Sequence, residues 1–225
     1  MKKQILIFLN KVIDKIEKSR KNYKLSILKS NLKYIGENVQ FGDNVKIVNP
    51  QYVSIGNNTS IDDNVLIIGA PSTIIKDISF RKLSISEHYN NLDFEKCQIG
   101  EVNIGENCHI GINNMLFGYG GITIDSFSTT SPDVKIYSLN SLAFDPENIK
   151  RVTYLQPYSG ESPTEIGPVF LAENTWLGIG TIILPGTAIK KNSFVTSNSI
   201  FKGILNENDK FSFKFEKHYS KRFKI

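Results

Sequence analysis

From Leu171 onward an apolar side chain returns at every sixth residue: Leu171, Leu177, Ile183, Ile189, Val195 and Phe201. Two positions before each later return stands a small hydroxyl residue, Thr175, Thr181, Thr187, Ser193 and Ser199. An amphipathic helix repeats at three and four residues and a half-buried strand at two, so a strict six belongs to neither. It suits short strands joined by corners and wound into a coil. Branched apolar residues then stack inside, and the corner admits only small ones.

The register continues upstream. Ile35-Gly36-Glu37-Asn38-Val39, Phe41-Gly42-Asp43-Asn44-Val45 and Ile47 make one triplet, and Ile55-Gly56, Ile61 and Ile67 the next. Ile104-Gly105-Glu106-Asn107-Cys108, Ile110-Gly111 and Leu116 make a third, and Ile124, Thr130 and Ile136 a fourth. The step lengthens to eight at Ile47 to Ile55 and at Leu116 to Ile124, which implies a two-residue bulge at one corner. With neighbouring coils about 4.8 Å apart, the body is a short rod of roughly six coils.

The stretch Gly167-Pro168-Val169 through Trp176-Leu177-Gly178 to Ile183-Leu184-Pro185-Gly186-Thr187 resembles the hexapeptide-repeat, left-handed β-helix acyltransferases, the sugar and polysaccharide O-acetyltransferases among them. The likeness runs from about Ile35 to Lys202. It implies a mainly β chain, a left-handed parallel β-helix behind an N-terminal α-helical segment, assembled as a homotrimer. It also implies acetyl-CoA as acyl donor, lying along the groove between adjacent subunits, and the cysteine spacing offers no metal site. Gly178, Gly180, Thr181, Pro185 and Gly186 match the donor positions, with Lys190, Lys191 and Lys202 as point charges for phosphates. The glycines equally serve tight coil corners. Trp176, the single tryptophan, either stacks on the acceptor or adenine or packs.

In that family the loop after a stretch like Val134-Lys135-Ile136-Tyr137-Ser138 carries a histidine that takes a proton from the acceptor as it attacks the thioester. This chain has Asn140 and Ser141 there. Its three histidines are His88, His109 and His218. His109 precedes the interior Ile110, so alternation turns it outward, where it reads as a base or as a surface or subunit-contact residue. His88 sits in an insertion and could reach a cleft, while His218 belongs to a solvated basic tail. Asp145, or water held by Asn140 and Ser141, is a weaker alternative base.

Charge separates the segments. Residues 1–33 carry net +8, residues 34–201 net −7, and residues 202–225 net +4. The division is a basic helical segment over 1–33, a β-helix over 34–202 with insertions near 68–98 and 137–165, and a basic tail over 203–225. In the first, Ile5, Leu6, Leu9, Val12, Ile13 and Ile16 form a helical stripe with Lys2, Lys3, Lys11, Lys15 and Lys18 off it. A second short helix is expected through Leu25, Leu28 and Leu32. The stripe fits a cap on the open first coil or a contact within the trimer, or else contact with an anionic membrane surface. The apolar run 5–9 is cut short by Asn10-Lys11 and lacks a cleavage site, so it does not read as a signal peptide, and no segment reaches a membrane span.

Other chemistries fit poorly. Cys97 and Cys108 lack zinc-ligand spacing, and Cys108 in the corner register reads as a buried thiol. The β-helical zinc carbonic anhydrases need three converging histidines, a pattern missing here. Neither a phosphate-cradling loop nor a nucleic-acid face is evident, and Phe211-Ser212-Phe213-Lys214-Phe215 alternates like a closing edge strand. The resemblance therefore implies a cytoplasmic enzyme, with the inner membrane face within reach of the helix. It would move acetyl from acetyl-CoA to a sugar hydroxyl or amine during bacterial surface-polysaccharide or glycolipid assembly. The competing expectation is a catalytically degenerate rod that binds or scaffolds.

Overall fold

The structure, a computed structural model, describes residues 2–71, 81–82, 97–141 and 164–213. The six-residue register becomes a three-sided coil. Its first face stacks Tyr34–Ile35, Val53–Ile55, Val102–Ile104, Ile122–Ile124, Val169–Leu171, Thr187–Ile189 and Ile204–Leu205. The second stacks Gln40–Phe41, Ser60–Ile61, His109–Ile110, Thr129–Thr130, Trp176–Leu177, Phe194–Val195 and Lys210–Phe211. The third stacks Lys46–Val48, Leu66–Ile68, Met115–Phe117, Lys135–Tyr137, Ile182–Ile183 and Ile200–Phe201. Neighbouring strands on every face are parallel, and the architecture is a left-handed parallel β-helix.

Stacking like on like fills the interior. Ile55, Ile61, Ile67, Ile110, Leu116, Leu171, Leu177 and Ile183 are essentially fully buried. Each contributes roughly 1.5–3 kcal/mol by leaving water. The small hydroxyl residues line the corners, where Thr175, Thr181, Thr187, Ser193 and Ser199 are all buried. They are placed there because their hydroxyls can be satisfied locally: Thr187 Oγ1 donates to the Leu184 carbonyl at 2.7 Å and Ser193 Oγ to the Asn206 carbonyl at 2.6 Å.

The chain turns at the corners through left-handed backbone, and asparagine is the residue that tolerates it best after glycine. Asn38, Asn44, Asn58, Asn64, Asn107, Asn113, Asn174, Asn192, Asn198 and Asn208 all have φ near +55° to +62°. Where corner asparagines stack, their side-chain amides pair coil to coil, as Asn174 to Asn192 at 3.0 Å and Asn192 to Asn208 at 3.1 Å.

Two expectations shift. The coil passes Lys202, because Leu205 is buried and Phe211 packs against the core, so residues 204–211 add two sides of a further coil rather than opening a tail. The basic N-terminal segment is one helix, α1 (Lys2–Asn31), not two. The end of α1 and the residue just beyond it meet the rod: Leu28 and Leu32 pack against the core, and Lys29 Nζ donates to the Val39 carbonyl at 3.3 Å. That end covers the open first coil, which would otherwise expose strand edges.

Both insertions leave the coil at the corner between the third and first faces. The first is closed at its base by the Ala70 amide donating to the Gly100 carbonyl at 2.8 Å. The second is closed by the Gly167 amide donating to the Ser138 carbonyl at 3.0 Å, and the buried Ser138 hydroxyl accepts from the Gly120 amide at 2.8 Å and donates to the Phe117 carbonyl at 2.6 Å. They then join. Leu139–Ser141 pairs antiparallel with Thr164–Ile166, which pairs in parallel with Arg81–Lys82.

Candidate active site

Alternation turns one column of second-face residues outward: Gln40, Ser60, His109, Thr129, Trp176, Phe194 and Lys210, each beside its neighbour one coil away. His109 is the titratable centre of this column. Its Nδ1 lies 2.8 Å from Ser60 Oγ and its Nε2 3.4 Å from Asp62 Oδ2. The imidazole and the carboxylate are 44% and 40% exposed, so a solute can reach both. A lone pair on Nε2 would face the Asp62 carboxylate and be repelled, so the neutral ring carries its proton there. Nδ1 is then the acceptor and takes the Ser60 hydroxyl proton in a hydrogen bond.

Ser60 and Asp62 were missed from sequence. They flank Ile61 as His109 and Gly111 flank Ile110, and laying the triplets side by side would have put them against His109 although Ser60 and His109 are 49 positions apart in the chain.

Two coils above His109, Trp176 stands 54% exposed, its indole Nε1 donating to Ser131 Oγ at 2.9 Å. Its ring is 5.4 Å from that of Phe194. The same edge of the second face is lined by small residues, Gly111, Ser131 and Gly178. A methyl added at Gly178 would collide with the Ser197 backbone, so this glycine is required by the stack itself. Gly180, at φ +67°, turns the corner beyond it.

The remaining expected donor residues do not share this edge. Thr181 is buried and its hydroxyl donates to the Thr196 carbonyl at 3.2 Å, so it serves the corner. Pro185 and Gly186 are buried at the corner between the third and first faces, where Lys202 also lies. Lys190 and Lys191 sit at the corner between the first and second faces, and Lys191 pairs with Glu173 at 3.1 Å. Residues a dozen apart occupy different corners of a three-sided coil, so one slim ligand on a single protomer cannot touch them all.

The candidate bases are divided in the same way. Asn140 and Ser141 lie on the strand that opens the second excursion, Asn140 opposite Glu165, at the corner facing away from the second face. Within one protomer they cannot meet an acceptor held at His109. His88, His218 and Asp145 lie outside the described residues. Cys108 is buried, and burial pushes its thiol up to about 11, which keeps it out of nucleophilic chemistry.

Known proteins complete the picture. A dTDP-4-amino-4,6-dideoxy-D-glucose acyltransferase from Escherichia coli is 25% identical over 170 residues, covering 76% of this chain and 72% of its own. A galactoside O-acetyltransferase from Lactococcus lactis is 30% identical over 141 residues, covering 57% of this chain and 66% of its own. The chain is thus similar to sugar acyltransferases, and it carries a six-residue repeat through its coils. An N-acyltransferase from Bacillus cereus, solved in complex with dTDP and coenzyme A, shares the fold of this hexapeptide-repeat protein. Its TM-score is 0.60 at 23% identity, over 81% of this chain and 80% of that one. No family model matches the sequence.

Proposed function

We propose that this protein transfers a short acyl group, acetyl in the simplest case, from its CoA thioester to an amine or hydroxyl of a sugar. The observation that carries this is the pair of curated relatives, both sugar acyltransferases, and the coil of this chain presents an accessible imidazole. A nucleotide-linked sugar is the acceptor we favour. The relative covering most of the chain is named for a dTDP-linked amino sugar, and Trp176 with Phe194 offers a stacking surface on the same face as His109. The competing expectation of a degenerate scaffold is not favoured by these relatives.

In this reading the acceptor nitrogen or oxygen attacks the thioester carbonyl and its proton passes to His109 Nδ1, directly or through the Ser60 hydroxyl. Asp62 lies against the opposite nitrogen, 3.4 Å away, and orients the ring for that transfer. The new bond to the acceptor forms as the C–S bond breaks, and the CoA thiolate recovers the proton. Binding both substrates side by side supplies much of the rate. The scattered donor positions suit a site completed by a neighbouring copy, so a homotrimer is part of the proposal, with Ile179 and Ile200, 52% and 57% exposed, as candidate contacts. Cytoplasmic work on surface-polysaccharide precursors is the setting that fits these substrates.

Release of free CoA thiol from acetyl-CoA, followed over a panel of nucleotide-linked amino sugars, nucleotide-linked neutral sugars and free galactosides, tests the assignment. Turnover confined to nucleotide-linked acceptors is expected, from a species of three times the chain mass. Absence of turnover with every sugar would overturn it.

A further inference from the structure

α1 is far longer than the cap requires. Leu28 and Leu32 make its contact with the core, whereas Ile16 lies about 18 Å back along the helix axis from Leu28. Between them the helix parts from the rod across a groove lined by Lys18, Arg20 and Leu25 on its own side and Phe41, Asp43 and Lys46 on the first coil. Beyond that groove Leu9, Val12, Ile13 and Ile16 share one face and are 49%, 39%, 51% and 52% exposed. Lys11, Lys15 and Lys18 stand exposed beside them.

Three occupants could cover such a stripe, and charge decides among them. A second copy of α1 packed against it would bring the lysine rows together, with Asp14 and Glu17 as the sole acids in residues 1–33 to offset them. A nucleic acid would answer the lysines but leave the isoleucines in water. An anionic bilayer answers both: the apolar face enters the headgroup boundary and the lysines meet lipid phosphates. The net −7 of residues 34–201 against net +8 of residues 1–33 would hold the rod off that surface while the helix docks. Among the described residues no helix is long and apolar enough to cross a membrane, so the contact would be in the surface plane.

We propose that the N-terminal half of α1 is an interfacial helix that binds the full-length protein to anionic lipid bilayers. Co-sedimentation of the full chain with phosphatidylcholine vesicles, with and without a third of phosphatidylglycerol, reads this out. Binding is expected on the anionic vesicles alone and is expected to weaken steeply as salt shortens the Debye length. Replacing Lys11, Lys15 and Lys18 by Gln should weaken it roughly fivefold per lysine, about 100-fold together. Ile13→Glu with Ile16→Glu should abolish it. Both variants should keep the wild-type circular dichroism, solution mass and CoA release, because these side chains are exposed and none belongs to the packed core or the second-face column. Failure to bind anionic vesicles, equal binding to neutral ones, or binding undiminished by the double glutamate variant would overturn the proposal. So would a double variant of smaller solution mass, which would assign the stripe to a second copy.

Discussion

The coils over 169–203 and those over 102–138 follow one register with different fidelity. In the later pair every interior position is apolar, every corner two residues earlier is Val, Thr or Ser, and Asn174, Asn192 and Asn198 take left-handed turns. The earlier pair departs from each rule. Thr130 occupies an interior site between Ile110 and Leu177, Asn114 a corner, and Phe127 a left-handed turn at φ +62°. Two of these departures meet at the His109 backbone. Asn114 Nδ2 donates to Thr130 Oγ1 at 2.6 Å, and that hydroxyl donates to the His109 carbonyl at 3.4 Å. Regular coils make the rod, and the irregular ones tie down the His109 backbone, while its imidazole meets Ser60 and Asp62 of the coil before them.

The comparison can be broken where it is strongest. Leu177→Ala removes a fully buried side chain from the regular stack, and chemical denaturation should show a loss of about 2–5 kcal/mol. A silent substitution would mean that the coil does not depend on its period. Cys108 offers a pH test of the irregular pair. Its thiol is raised from 9.0 to about 11, so the unfolded chain ionises first. Stability should be intact below pH 9 and fall by about 2–3 kcal/mol between pH 9 and 11, a decline absent from Cys108→Ala.

Smaller effects sharpen the contrast. Thr130→Val makes the fourth coil look regular yet strands the buried Asn114 amide, so it should cost about 1–3 kcal/mol in the same denaturation assay. Phe127→Asn should instead raise the melting temperature, through a gain of about 1 kcal/mol. It relieves a bulky left-handed residue and places an amide between Asn107 and Asn174. If Phe127→Asn also weakens acyl transfer, the exposed ring serves the site and the strain is explained by function.

Much of this was legible because the period is strict. Leu171 to Phe201 specified which side chains face inward, and alternation placed His109 outward before its partners were visible. The limits have physical causes. Lys190, Lys191 and Gly178 are close in sequence, but lateral neighbours in a coil are about eighteen residues apart, so linear proximity does not show that they stand at two different corners of one protomer. The pairing of Leu139–Ser141, Thr164–Ile166 and Arg81–Lys82 joins strands from two separate insertions, and no period announces it. Phe127 could have been noticed, since it stands where Asn107 and Asn174 stand in the neighbouring coils.

The account rests on proton transfer at His109 on the second face. Steady-state CoA release by His109→Gln, beside Asn140→Ala and Ser141→Ala, tests it most directly. A fall in kcat/KM of about 100-fold or more for His109→Gln is predicted, at unchanged melting temperature and with the other two variants near wild type. His109→Gln within threefold of wild type, with activity lost instead at Asn140 or Ser141, would move the chemistry to the opposite corner and contradict the account.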